Sequence, residues 1–470
     1  MALISAPKPT FTVHDKAYYA DQNTVNFVRP GLVVKLQSAA IAADGTITAT
    51  VSVTDPKGLP LDREGITTPG TISMSFIAAT IPKGQKQYTA YTFRTQTSPI
   101  THNSATQASA DSGGTFTKVS DGVYTYTFRT KAPSGFDASA THSIGVYGSR
   151  SLAEFDLGTQ YADNVLTFVP NGGTVSTVRD VVRTPACNAC HDQLAFHGGS
   201  RRSMELCILC HTPQTSDPDT GNTVDMPVMT HRIHAGATLP SVQAGGKYQI
   251  IGNNQSVSDW SSVVFPADVR RCEVCHVPGA STQADNYLKP SRAACGACHD
   301  NVNFATGENH VNLPQVSDNE CANCHIPQGE LEFDASIKGA HTIPEHSTAR
   351  PGINVDIVKV DNGTAGNKPT VTFTVRDDSG AGIPLSDLTV SPSRMALVMA
   401  GPTKDYGYTS FGSDVTTTGY VSEDPTRSSS CSSDGTCTYT FTHAIPADAK
   451  GTFAIGIEAR RGLTLLPGTK

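Results

Sequence analysis

Polar and apolar residues alternate with period two in two stretches far apart in the chain, Thr46–Val53 (TITATVSV) and Thr370–Val375 (TVTFTV). That period predicts half-buried β-strands. Each run is followed by a turn signal, Asp55-Pro56-Lys57-Gly58 and Asp377-Asp378-Ser379-Gly380. Many such short runs predict antiparallel Greek-key sandwiches or barrels.

The two flanks also repeat each other. Arg29-Pro30-Gly31-Leu32 matches Arg350-Pro351-Gly352-Ile353, and Leu59-Pro60-Leu61 matches Ile383-Pro384-Leu385. Met74 to Ala79 resembles Met395 to Ala400, Gly122 to Phe128 matches Gly435 to Phe441, and Ser143 to Tyr147 matches Ala454 to Glu458. Five blocks in one order predict a duplicated β module. The expected fold is mainly β, with two Greek-key barrel or sandwich domains at 1–179 and 349–470. Between them, 180–348 forms an irregular, partly helical module whose packing has another source.

Composition narrows the class. The 470 residues are 38% hydrophobic and 16% charged, with 41 Gly and 29 Pro, which suits a turn-rich chain with strands rather than long helices. No apolar run reaches the ~18 residues of a membrane-spanning helix. A formal net charge of -7 argues against a nucleic-acid partner.

The central module carries the chemistry. Cys187-Asn188-Ala189-Cys190-His191 is a C-x-x-C-H motif, and so are Cys207, Cys210, His211; Cys272, Cys275, His276; Cys295, Cys298, His299; and Cys321, Cys324, His325. The motif reads as c-type haem attachment: two thiols add to the haem vinyl groups and the adjoining His ligates iron. Zinc also uses C-x-x-C pairs, but it does not require a His directly after the second Cys, and all five pairs have one.

Of the 15 histidines, only His14, His102, His142 and His443 lie outside 180–348, and these read as ordinary surface or strand residues. Beyond the five motif histidines, the module holds His197, His231, His234, His310, His341 and His346. Five haems with two imidazoles each need five more, so the supply suffices. His231 and His234 stand at i, i+3 on one helix face and should serve different haems. His197 lies too close to His191 in sequence to face it across one iron without a tight loop, so it should reach a neighbouring haem. Met204, Met226 and Met229 are alternative ligands for some sites. About 34 residues per haem is below the ~40 at which chains build their own core. The haems must therefore form that core and touch, which makes a path for electrons.

Cys431 and Cys437 lie outside the module. A three-residue hairpin loop, Ser433-Asp434-Gly435, would place them opposite each other at a distance suited to a disulfide, which reads first as a structural staple. Thioether attachment and a disulfide both imply an oxidising compartment outside the cytoplasm. The first residues, Met1 to Pro7, lack the charged start and long apolar run of a signal peptide, so an export signal is expected to be missing from this sequence.

The stretch from Cys187 through His197 to Cys207-Ile208-Leu209-Cys210-His211, with His231-Arg232-Ile233-His234 and Cys321-Ala322-Asn323-Cys324-His325, resembles the OmcA/MtrC family of outer-membrane decahaem cytochromes of dissimilatory metal-reducing bacteria. The resemblance covers nearly the whole chain. It implies bis-histidine haems and split β-barrel domains. It also implies a place on the extracellular face of the outer membrane, and partners among other multihaem cytochromes or an outer-membrane porin–cytochrome conduit. Ferric minerals, flavins or electrodes would accept the electrons, with a transient flavin near a redox-responsive Cys431–Cys437 pair. By position, His197, His231, His234, His310 and His341 match the distal ligands, leaving His346 spare. Such proteins carry ten haems in four domains. This chain has five motifs in three, so the natural gene is expected to continue for about 170 residues, by the repeat logic. No catalytic residue is expected. Two other readings are a multihaem reductase of a small nitrogen or sulfur compound, which needs an open iron position, and a subunit of a conductive filament.

Overall fold

A computed structural model describes residues 11–348, 350–404 and 409–463. The N-terminal residues 1–10, on which the expectation about an export signal falls, and the tail 464–470 lie outside the described residues. The chain divides into two compact units, Met1–His341 and Thr342–Lys470.

The first unit opens with a β-sandwich. One sheet has the order β1-β2-β8-β7 and the other β10-β9-β3-β4. Their ranges are β1 Val33–Ile41, β2 Ile47–Thr54, β3 Ile72–Ile81, β4 Thr89–Ala90, β7 Thr115–Ser120, β8 Val123–Thr127, β9 Thr141–Ser151 and β10 Thr159–Phe168; β5 Phe93–Thr97 and β6 Ser104–Ala108 form a separate hairpin. In β2, the alternation visible in sequence buries Ile47, Ala49, Val51 and Val53 against Phe76, Ile144 and Val146 of the opposite sheet. Tyr126 stacks on Phe76 at 4.2 Å, filling the centre with aromatic surface. At the seam between sheets, β1 and β10 run side by side without a ladder. A bulge between Leu36 and Ser38 breaks the β1 register there, and Leu36 N–H donates instead to Asn164 Oδ1 at 2.9 Å.

Arg150 on β9 locks this sandwich to the segment before it. Its side chain is fully buried and donates to the carbonyls of Val28, Arg29, Gly31 and Pro69 at 2.6–3.0 Å. Burial pushes its pKa down to about 10. Three of those carbonyls belong to the end of the helix Gln22–Val28 and the residues just after it, where the helix dipole and unpaired acceptors favour a cation.

The second unit repeats the plan. Strands β13 Asn354–Asp361, β14 Thr370–Arg376, β17 Ser430–Cys431 and β18 Thr436–Thr440 pair in the order β13-β14-β18-β17. Strands β15 Arg394–Ala400, β16 Tyr420–Glu423 and β19 Ala454–Arg460 pair as β16-β15-β19. The β13 bulge between Ile357 and Lys359 mirrors that of β1 at the interval of the repeated Arg-Pro-Gly (357 − 36 = 350 − 29 = 321). Arg461 even approaches the Gly352 carbonyl, at 3.5 Å, as Arg150 does Gly31. Among the described residues β19 pairs only with β15, whereas β9 pairs with both β3 and β10.

The rest of the first unit, from about residue 180, has little regular structure. Its longest helix is Met226–Ala235, and its only sheet is the small hairpin of β11 Gln249–Ile251 and β12 Val257–Asp259. Side chains of this module pack on the sandwich: Leu206 and Leu209 lie against Ile77, Ala79, Ile81 and Tyr88. Gly145 permits the approach, since a Cβ there would sit 2.5 Å from Leu206.

Candidate functional site

Each C-x-x-C-H motif forms one helical turn. The His N–H donates to the carbonyl of the first Cys in all five: His191 to Cys187, His211 to Cys207, His276 to Cys272, His299 to Cys295 and His325 to Cys321, at 2.9–3.0 Å. A turn of this kind sets the two thiols, at i and i+3, on one face with the imidazole beside them. All ten thiols are free, as attachment requires. Burial pushes the pKa of Cys187, Cys210 and Cys298 up to about 11 and that of Cys207 up to about 12.

The motifs line one connected cavity of about 3380 Å³. A single ordinary ligand pocket holds ~300–1,000 Å³, so this is room for several large cofactors. One wall is the outer face of the sandwich, through Ile77 and Tyr147. Thiols of different motifs lie near enough to feel each other's charge: Cys207 with Cys187, Cys187 and Cys190 with Cys275, Cys298 with Cys272, and Cys321 with Cys295.

Across that cavity every motif histidine faces a second imidazole. Ring centres are 6.3 Å apart for His191 and His234, 6.0 Å for His211 and His197, and 6.4 Å for His276 and His231. They are 6.2 Å apart for His299 and His341 and 6.2 Å for His325 and His310. Ordinary ring contacts span ~4.5–7 Å, so distance alone does not decide, but the recurrence of one such pair for every motif does call for a common cause. Two metal–imidazole bonds of ~2.0–2.1 Å, the range known for zinc, plus ~1.1–1.2 Å from each nitrogen to its ring centre, give ~6.2–6.6 Å. The residues therefore fit an iron between each pair, inside a cavity large enough for the macrocycle.

The ring orientations agree. Nδ1–H donates to a backbone carbonyl in His211 (Val224), His234 (Thr230), His310 (Leu313), His325 (Ala335) and His341 (Ile337), at 2.7–3.1 Å. That bond selects the tautomer whose Nε2 lone pair is left for a metal. Burial, with help from neighbouring positive charge, lowers His197 and His231 to about 4, keeping both neutral as ligands must be.

Local structure explains how each facing histidine arrives. His231 and His234 ride the helix Met226–Ala235, and although they share a face they go to different partners, His276 and His191. Gly236 ends that helix at φ 40°, where a Cβ would meet the Val263 carbonyl at 2.4 Å. His197 sits at φ 52° in the tight turn closed by Phe196 and Arg201, which carries its ring away from His191 to His211. His310 lies among left-handed Asn309, Val311 and Asn312. Backbone held in this region at several adjacent non-glycine positions is characteristic of functional sites.

Met204, Met226 and Met229 also line the cavity, but the ring opposite each motif histidine is an imidazole. His346 lies in the other unit, in the turn Pro344–His346, and faces no histidine ring among the described residues. Sequence reasoning missed the sandwich wall and two half-buried cations in the cavity lining, Arg179 and Arg201. No periodicity marks them.

Cys431 and Cys437 stand directly opposite in the β17–β18 ladder and are joined, with Cα atoms 4.0 Å apart. Ser432 N–H bonds the Thr436 carbonyl across a loop of Ser433, Asp434 and Gly435, with Gly435 at φ 83°.

Residues 179–337 match the family described as outer membrane cytochrome MtrC/MtrF-like, domains II/IV. The multiheme cytochrome MtrC of Shewanella baltica (strain OS185) is 24% identical over 282 residues, covering 57% of this chain and 37% of that protein. The crystal structure of the outer membrane decaheme cytochrome OmcA superposes with a TM-score of 0.66 at 22% identity, over 91% of this chain and 66% of that one. MtrC from Shewanella baltica OS185 gives 0.60 at 20% identity, over 93% and 66%. The chain thus spans 66% of the length of these solved structures. The matched residues 179–337 take in all five motifs and every facing imidazole but His341, and the fold is shared with these outer-membrane multihaem cytochromes along nine-tenths of the sequence.

Proposed function

We propose that residues 180–341 hold five haems, each joined through one C-x-x-C-H motif and ligated by two histidines, and that the chain conducts electrons along them. The observation that carries this is the set of five imidazole pairs at 6.0–6.4 Å, one pair for every motif. A bound haem supplies a one-electron couple, and two imidazoles leave no open position for a substrate. The chain supplies the rest. Its thiols fix each group, its Nδ1 hydrogen bonds orient the ligands, and the sandwich wall and packed loops limit water.

The proximity of thiols supports an order along the module: second motif, first, third, fourth, fifth. The distal ligands support it too. His197 follows the first motif but faces the second, and the helix Met226–Ala235 ties the first to the third. A position on the outer cell surface, relay from another multihaem cytochrome or a porin–cytochrome conduit, and delivery to ferric minerals or flavins fit the family. Cys431 and Cys437 we read as a structural staple of the second unit.

Intact mass together with the ferric spectrum tests the proposal. The mass should exceed that of the polypeptide by five haems, and all ferric haem should be low-spin. Four haems or fewer in matured protein, or a native high-spin component, would overturn it.

A further inference from the structure

We propose that Arg201 binds a propionate of the haem held between His197 and His211, and so raises that haem's potential. The inference rests on the haem reading above. Each haem brings two carboxylates, and this chain already has a net charge of -7. A carboxylate in a partly dry cavity needs a cation that is not already spent.

Most half-buried cations at the cavity are spent. Arg270 holds Asp268 at 2.6 Å and Arg292 holds Asp318 at 2.8 Å. Arg179 donates to the Lys86 carbonyl and stands in the field of Asp225. Arg201 differs. It lines the cavity, and its guanidinium lies 3.9 Å over the Tyr147 ring, which fixes its plane. Nη1 alone makes hydrogen bonds, to the His197 carbonyl at 3.4 Å and Ser200 Oγ at 3.1 Å. Nε and Nη2 have no acceptor among the described residues, which leaves two donors of the kind that grip a carboxylate in parallel. Its charge is felt at His197, His211 and Cys210, the residues of one haem site.

The electrostatic sign follows. Reduction adds one negative charge at the iron, so a fixed cation nearby favours the reduced form. Removing it lowers the potential of that haem.

The test uses the haem-loaded full chain. In R201Q, mass should still report five haems and the ferric spectrum should stay low-spin. In a potentiometric titration the amplitude of a single haem should move to lower potential while the other four stay. In R201K, which keeps charge but loses the planar fork, the same amplitude should move by less. The ferric paramagnetic-resonance component that moves should be the one H197A abolishes. An unchanged titration in five-haem R201Q, or in R201K if R201Q fails to mature, overturns the inference. So does a uniform shift of all five haems. A wild-type chain lacking five haems would overturn the haem reading instead.

Discussion

Replacing His231 and His234 separately and together gives a sharp test of the ligand geometry. The two lie on one helix, three residues apart, yet their rings stand 6.4 Å from His276 and 6.3 Å from His191. Truncation to Ala withdraws one imidazole and leaves the motif histidine on the far side of the gap. Thioether attachment is untouched, so haem content should be unchanged. Each single mutant opens one iron in five, so about one fifth of the low-spin ferric intensity should convert to high-spin, and the double mutant should convert about two fifths, as independent sites add. Millimolar imidazole in the buffer should restore the low-spin spectrum in each. Paramagnetic resonance of the oxidised proteins reads all of this directly. If both single mutants lost the same component, or if the double mutant converted no more than either single, the two rings would share one haem and the reasoning would fail.

Two predictions concern the second unit. Replacing Cys431 and Cys437 by Ser should leave haem content unchanged and destabilise the unit by ~2 kcal/mol, the loop-entropy expectation for a sequence separation of six; an unshifted denaturation midpoint would remove the staple reading. His443 sits between Glu423 and Asp414, and its hydrogen bond to Glu423 holds it above the ordinary histidine range. Burial pushes Glu423 up, but hydrogen bonds from Tyr439, Thr442 and His443 outweigh it and hold the carboxyl below its ordinary value. A raised histidine contributes stability that is full below its unfolded pKa of ~6.5 and is lost as pH rises through the folded value; the lowered glutamate contributes above ~4.3 and loses it as pH falls. The melting temperature of wild type should therefore exceed that of H443Q at about pH 5–6 and converge with it above neutrality. A constant gap across pH would contradict the ion pair.

Much of the architecture was legible because it rests on local rules. Alternation in Thr46–Val53 reappears as the buried Ile47, Ala49, Val51 and Val53 of β2. The five repeated blocks reappear as matching strand orders, down to the bulges of β1 and β13. The hairpin around Gly435 follows from loop length and a residue free to take positive φ. What stayed hidden was everything that depends on non-local packing. Nothing in the order of residues says that the outer face of β3 and β9 walls the cavity, or that the β5–β6 hairpin leans on the loop at Thr215 and Ser216.

The candidate site divides the same way. Spacing alone singled out the candidate attachment residues, because two thiols and an imidazole on one helical turn are a local requirement. The supply of histidines, and the i, i+3 rule for His231 and His234, determined which rings were available and that these two must part. Only the tertiary structure decided the pairing of His191 with His234, His276 with His231, and His299 with His341. Those partners are 42 to 45 residues apart in the chain, and any of several assignments would satisfy the count. The same holds for Arg201, whose two idle donors mean something only beside Tyr147 and His211. Sequence determines what a turn must do, whereas which distant turns share a cavity is set by the packing of the sandwich and loops that enclose it.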